Sequence, residues 1–141
     1  MFFYIKTPYF LPIEGFCWNN VFNPLARLLK VKMKSASVND VGSMSLSSLV
    51  EKVPNYYIVS LLNSNILFDY YREQINCTVN IQINDIRQLP LIIPTESELK
   101  DIYSLFDKAY NIKRKNPDTT PEELQNVERI IDLKVNQLYS I

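Results

Sequence analysis

Residues 88–94, QLPLIIP, constrain this chain more than any other stretch. Pro90 and Pro94 bracket Leu91, Ile92 and Ile93. Proline has no amide donor, holds φ near about −65° and pushes its preceding residue toward extended geometry. The run is therefore predicted to be a short extended connector or an edge strand entering the core. It is a joint, with strands, loops and one helix before it and two helices after it. Thr95-Glu96-Ser97-Glu98 follows at once as a capping box, Thr95 bonding the amide of Glu98 and Glu98 reaching back. A helix is predicted over 96–115, burying Leu99, Ile102, Phe106, Ala109 and Tyr110, with Leu105 and Ile112 widening the stripe. Acids fall in its first turn and Lys113, Arg114 and Lys115 in its last, as the helix dipole favours. Thr120-Pro121-Glu122-Glu123 repeats the start signal, with Thr120 as N-cap and Pro121 as the first helical residue. Leu124, Val127, Ile131, Val135 and Leu138 give the last helix its stripe. The short link at 116–119 predicts an antiparallel hairpin of helices, each about 30 Å long at ~1.5 Å per residue.

Upstream the pattern is mixed. Residues 2–6 and 15–22 are aromatic and β-branched and read as strands, the second carrying Trp18 as a core residue or a stacking platform. A short helical turn is predicted over 25–30. In KVKMK at 30–34 the alternation places Lys30, Lys32 and Lys34 on one face of a strand and Val31 and Met33 on the other. Such a strand suits phosphate contact, and it equally suits an edge kept from aggregating by its charge. Residues 35–48 read as a polar loop turning at Asn39-Asp40 and passing Ser43 into a strand near 44–50. Pro54 opens a helix predicted over 55–75, mostly buried, with the mediocre helix formers Asn63 and Ser64 in its middle, where either tertiary structure occupies them or Ser64 lets a neighbour approach closely. Residues 76–84 alternate strictly and are predicted as a strand, with Asn76, Thr78, Asn80, Gln82 and Asn84 opposite Cys77, Val79, Ile81 and Ile83. That uncharged polar face suits bases, another strand or solvent.

Composition limits the chemistry. There is no histidine and only two glycines, Gly15 and Gly42, so the commonest base, the commonest metal ligand and a glycine-rich nucleotide loop are missing from the sequence. An enzyme confined to these 141 residues is not expected. Cys17 and Cys77 read as reduced, small core residues, and neither a signal peptide nor a membrane span is predicted, so a cytoplasmic location is expected. Net charge is zero, yet residues 1–52 hold six basic groups against three acids. That +3 bias suggests an anionic partner for the first part, although ordinary scatter of surface charge would give the same split.

Three segments in order, YYIVSLLNSNILFDYY (56–71), INDIRQLPLIIPTESEL (83–99) and ERIIDLKVNQLYSI (128–141), resemble one family. It is the C-terminal target-recognition domain of type IIG and TaqI-like restriction–modification adenine DNA methyltransferases, and more distantly the type I restriction specificity subunits. Leu61-Leu62-Asn63-Ser64 matches the family's "LLNS", Leu89, Pro90, Ile92 and Pro94 match its proline connector, and Ile131-Asp132, Val135, Leu138 and Tyr139 match its ending. The resemblance covers about residues 55–141 and implies a natural C-terminus at Ile141, with the chain a piece of a larger enzyme. It implies recognition of double-stranded DNA on behalf of catalytic domains in the same polypeptide or complex. Those domains would use S-adenosylmethionine and, for cleavage, a divalent metal, whereas this chain would need no cofactor.

The expected fold is α+β, with a strand-and-loop recognition part over 1–94 and a helical hairpin scaffold over 95–141, together one domain. Arg27, Lys30, Lys32 and Lys34 are the expected phosphate contacts. Asn39, Asp40, Ser43, Asn76, Thr78, Asn80 and Gln82 are the expected base readers. The alternative is a protein–protein module that works through the hairpin.

Overall fold

The structure, a computed structural model, describes residues 2–3, 13–21, 28–37 and 43–140. Strand β2 (Ile13–Asn19) is the middle of a three-stranded antiparallel sheet, flanked by β3 (Lys32–Ser37) and β4 (Ser43–Ser48). A two-residue strand, β1 (Phe2–Phe3), adds to the outer edge of β4, giving the order β1-β4-β2-β3. Residues directly opposed across antiparallel strands share a face. Phe16 opposes both Met33 and Leu46, and Trp18 opposes Met44, so these five residues share one face. Phe16, Trp18 and Leu46 are buried there. Trp18 stacks on Phe16 at 6.2 Å and donates its indole N–H to the Ile81 carbonyl at 3.1 Å, which makes it a core residue and not a platform for bases. Gly15, Cys17, Ser45, Lys32 and Lys34 fall on the opposite face. Any side chain at Gly15 would collide with the Leu46 carbonyl oxygen, so the close approach of β4 to β2 requires glycine there.

Helix α1 (Asn55–Leu62) closes the core against β2 and β3, with Tyr57, Ile58, Leu61 and Leu62 fully buried. Each such side chain contributes about 1.5–3 kcal/mol through burial. The single helix predicted over 55–75 is in fact three pieces. α1 stops at Asn63, α2 (Asn65–Tyr70) starts again, and a π-helical turn runs over Tyr71–Ile75. Ser64 makes the break by leaving helical geometry at ψ 151°. Its hydroxyl donates to the Leu61 carbonyl at 2.6 Å and accepts from the Leu67 amide at 3.4 Å, ending one helix and capping the next.

The strand predicted over 76–84 is not formed. Among the described residues only an isolated bridge between Val21 and Asn80 is present, followed by a four-residue helix, α3 (Ile83–Ile86). Asn76 has turned its side chain onto its own neighbours, accepting from the Thr78 amide and hydroxyl at 2.7 Å and donating to the Asn80 carbonyl at 2.9 Å. Short polar side chains that bond the nearby backbone in this way compete with a strand ladder. Cys77 and Val79, expected to face inward, are exposed, and of the expected apolar face Ile81 is fully buried.

Residues 90–95 run without regular structure, the predicted connector. Two tyrosine hydroxyls hold it: Tyr57 donates to the Ile92 carbonyl at 2.8 Å and Tyr139 to the Pro90 carbonyl at 2.6 Å. Helix α4 (Glu96–Lys115) has the predicted bounds and both bonds of the capping box. Helix α5 (Glu122–Tyr139) starts later than predicted, with Pro121 in the cap position at ψ 155°. Thr120 thereby lies one residue outside the helix and makes no side-chain cap; its carbonyl accepts from Gln125 instead. Lys134 meets Asp101 at 3.2 Å and Lys108 meets Glu123 at 3.9 Å, the pairing of an antiparallel hairpin. Such exposed pairs set orientation and contribute little stability, about 0–1 kcal/mol each. The architecture is α+β, and among the described residues no helix is long and apolar enough to cross a membrane.

The connector's attachment is testable. Tyr139→Phe is expected to cost about 0.5–1.5 kcal/mol at neutral pH, the net worth of one hydrogen bond. Burial also pushes the Tyr139 phenol up to about 12. An unfolded phenol titrates near about 10, so the folded state holds the proton more tightly and stability falls as pH rises from there through the folded value. Urea unfolding midpoints should show the Phe variant losing its share of that alkaline slope.

Candidate functional site

The lysine segment does not form one continuous strand. Lys30 precedes β3 in left-handed geometry, with φ 53°, a conformation that costs an ordinary L-residue energy and needs neighbours to hold it. Asn63 supplies the hold. Its side-chain oxygen accepts from the Val31 amide and its side-chain nitrogen donates to the Val31 carbonyl, each at 2.8 Å. Val31 is thereby buried beside α1, while Met33 stays 37% exposed. The expected alternation of three lysines fails at Lys30, which turns toward a separate cleft. Lys32 and Lys34 do share a face, opposite Cys17 and Gly15. Lys32 is exposed, and half-buried Lys34 reaches the Ser35 carbonyl at 3.4 Å. Arg27, Asn39 and Asp40 lie outside the described residues.

The second expected group, at 76–82, is gathered on one loop. Arg72 grips it with its guanidinium, donating to the Cys77 and Thr78 carbonyls at 2.8 Å each. Asp85 closes it from the other side. One carboxylate oxygen accepts from Asn76 at 2.7 Å, from the Gln82 amide at 3.2 Å and from the Tyr71 hydroxyl at 3.3 Å. Burial raises the Tyr71 phenol above its ordinary value, and the Asp85 charge adds to this. Asn76 thus supports the loop from within, its amide bonded to Thr78, Asn80 and Asp85. Thr78, Asn80 and Gln82 remain exposed, although the Thr78 hydroxyl donates inward to Asn76.

Strand β2 brings the two groups onto one support. The Ile81 amide donates to the Asn20 carbonyl at 2.8 Å, just past the end of β2, and the Trp18 indole grips Ile81 from within. Ser43, the first residue of β4, opposes Asn19 at that same end. Lys32 lies farther along β2, opposite Cys17. The result is a cationic strand face and a neutral polar loop fixed to one strand. Charge there can hold an anionic backbone, and hydroxyl and amide groups can exchange hydrogen bonds with polar edges.

A cleft of about 510 Å³ opens on the helical side, floored by Val59, Ile131 and Ala109, with Lys30 and Arg129 at its rim. Glu128 also lines it, and burial holds that carboxyl above the usual carboxylate range while Lys113 pulls it back. Asp132, on the same wall, is committed to α2, accepting from the Asn65 amide at 2.8 Å and its side chain at 2.9 Å. Among the described residues no group of acids and cysteines converges as metal ligands would. No known protein family, curated protein or solved structure matches this chain.

Asn63 was conspicuous in sequence as an amide in mid-helix. Arg72 and Asp85 were not, because nothing in their spacing announces that both serve the loop between them. Asp85→Ala should release that loop: amide exchange at Gln82 should accelerate, and stability should fall by about 1–3 kcal/mol through the unpaired Asn76 and Tyr71 groups. Hydrogen exchange with urea titration measures both.

Proposed function

We propose that this chain is a sequence-specific reader of double-stranded DNA, the target-recognition domain of a restriction–modification enzyme. In this reading the methyl transfer, and any cleavage, belong to catalytic domains in the same polypeptide or complex, which would supply S-adenosylmethionine and any divalent metal. The sequence resemblance motivates the family. The observation that carries the DNA reading is that β2 supports two polar groups, the Lys32–Lys34 face and, from the Trp18 side at its end, the loop bearing the exposed Thr78, Asn80 and Gln82. Lysines would set the position of the duplex through phosphates, and the loop would reach base edges in the major groove. Lys30 lines the separate cleft and the Asn76 amide is bonded within the loop, so this reading rests on the other residues.

The hairpin would be the scaffold and the attachment to the catalytic domains. It bears exposed apolar residues, Tyr103 and Tyr110 on α4 and Ile130 and Leu133 on α5, which suit a protein surface. These same residues favour the second reading, a protein–protein module with no role for DNA.

Salt separates the two. Binding of the chain to a duplex library should weaken as salt rises, with a log–log slope of about −0.9 per phosphate contact. Lys32→Ala with Lys34→Ala should flatten that slope by up to about 1.8. Asn80→Ala and Gln82→Ala should leave the slope in place and blur the selected sequence. An unchanged slope in the lysine variant removes β3 from the interface, and salt-insensitive binding favours the protein–protein reading.

A further inference from the structure

We infer that Asn63 is a positioning residue for the phosphate-contacting strand, through its two hydrogen bonds to Val31. The inference rests on the DNA reading above for its functional consequence, although the clamp itself is a property of the geometry. Val31 immediately precedes β3, and Lys32 is the first residue of that strand. β3 pairs with β2 along one edge. At its start the Asn63 amide takes the position of a partner residue, satisfying the N–H and C=O of one residue as an opposed strand would.

Lys30 explains why such a clamp is needed. Its φ of 53° lies where a lysine side chain is strained, at an expected cost on the order of 1–3 kcal/mol. Relaxation to an ordinary negative φ would swing Val31 out of the core and displace Lys32, one residue farther on. The two bonds to Asn63 oppose that relaxation. Asn63 is itself fixed on both sides: its own amide donates to the Val59 carbonyl at 3.1 Å, and next to it Ser64 caps α2. One residue beyond, Asn65 is tied to Asp132 of α5. A continuous set of bonds therefore runs from the hairpin to the lysine strand. The hairpin sets where β3 can hold its charges.

The test uses the whole chain and reads two quantities. In Asn63→Ala the Val31 amide should exchange about tenfold faster or more, the worth of one good hydrogen bond. Its duplex binding should lose about one phosphate contact from the salt slope, a change of about 0.9, at a temperature where the protein is fully folded. A purely stabilising residue would lower the melting temperature and leave the slope of the folded protein alone. Lys30→Gly provides the rescue, because glycine holds positive φ without strain. Asn63→Ala combined with Lys30→Gly should recover the slope of Lys30→Gly alone. In the Lys32→Ala background, Asn63→Ala should change the slope no further. Should alanine at 63 prevent folding, Asn63→Ser serves, being polar yet too short to reach both Val31 groups. Unchanged Val31 exchange, or a salt slope equal to that of the parent chain, overturns the inference. If the parent chain itself binds no duplex, the DNA reading fails and Lys32 loses its role, while exchange at Val31 still decides whether the clamp exists.

Discussion

The interruption at Asn63–Ser64 is the constraint on which the other parts depend. Continued helix would leave the Asn63 amide pointing into solvent or into an apolar wall, and the Val31 backbone groups without partners. Breaking the helix places the amide on Val31 and the Ser64 hydroxyl at the head of α2. Of the two short helices, α1 then packs between the sheet and the hairpin while α2 reaches α5. A buried polar group is costly unless it is paired, and among the described residues no buried side-chain nitrogen or oxygen is left without a partner. The polar residues at this junction thus specify one arrangement where an all-apolar helix would tolerate several.

Local side-chain bonds govern the sheet end of the molecule too. The loop at 76–82 has almost no ladder to hold it, so Arg72 and Asp85 do what a neighbouring strand would have done. A loop fixed by side chains presents its outer residues without needing a second strand to cover its edge. This leaves Asn80 and Gln82 accessible on a backbone held in place, a geometry suited to reading another molecule.

Legibility in the sequence followed the range of the signal. α4 was readable in its bounds because its capping box, apolar stripe and terminal charges are all local to it, although Tyr110, expected in the buried stripe, is exposed. The proline connector was equally readable, since proline acts on its own backbone and its neighbour's. The helix over 55–75 was half readable: its apolar residues were identified, and Asn63 and Ser64 marked the weak point, but the partner that occupies Asn63 lies 32 residues away. The strand at 76–84 misled because alternation reports only hydropathy, and Asn76 has a side chain short enough to bond its own loop. Lys30 misled for a similar reason, its backbone conformation being fixed by a distant amide. Of the expected site, Lys32 and Lys34 share their predicted face, Lys30 lies before the strand at positive φ, the Asn76 amide is bonded within its loop, and Arg27, Asn39 and Asp40 fall outside the described residues.

The Asp132–Asn65 contact has a consequence for how the chain acquires its shape. It joins residues 67 apart, and Trp18 meets Ile81 across 63. Contacts of that span require large loops to close before they return any energy, so they form late and slow the whole process. The hairpin of α4 and α5 needs only its own short turn and can assemble early. On the ribosome, α2 would emerge long before the carboxylate that caps it, and the Asn65 amide would stay hydrated until Asp132 had been added. The first half of the chain therefore reaches its final form only when the last helix arrives to hold it.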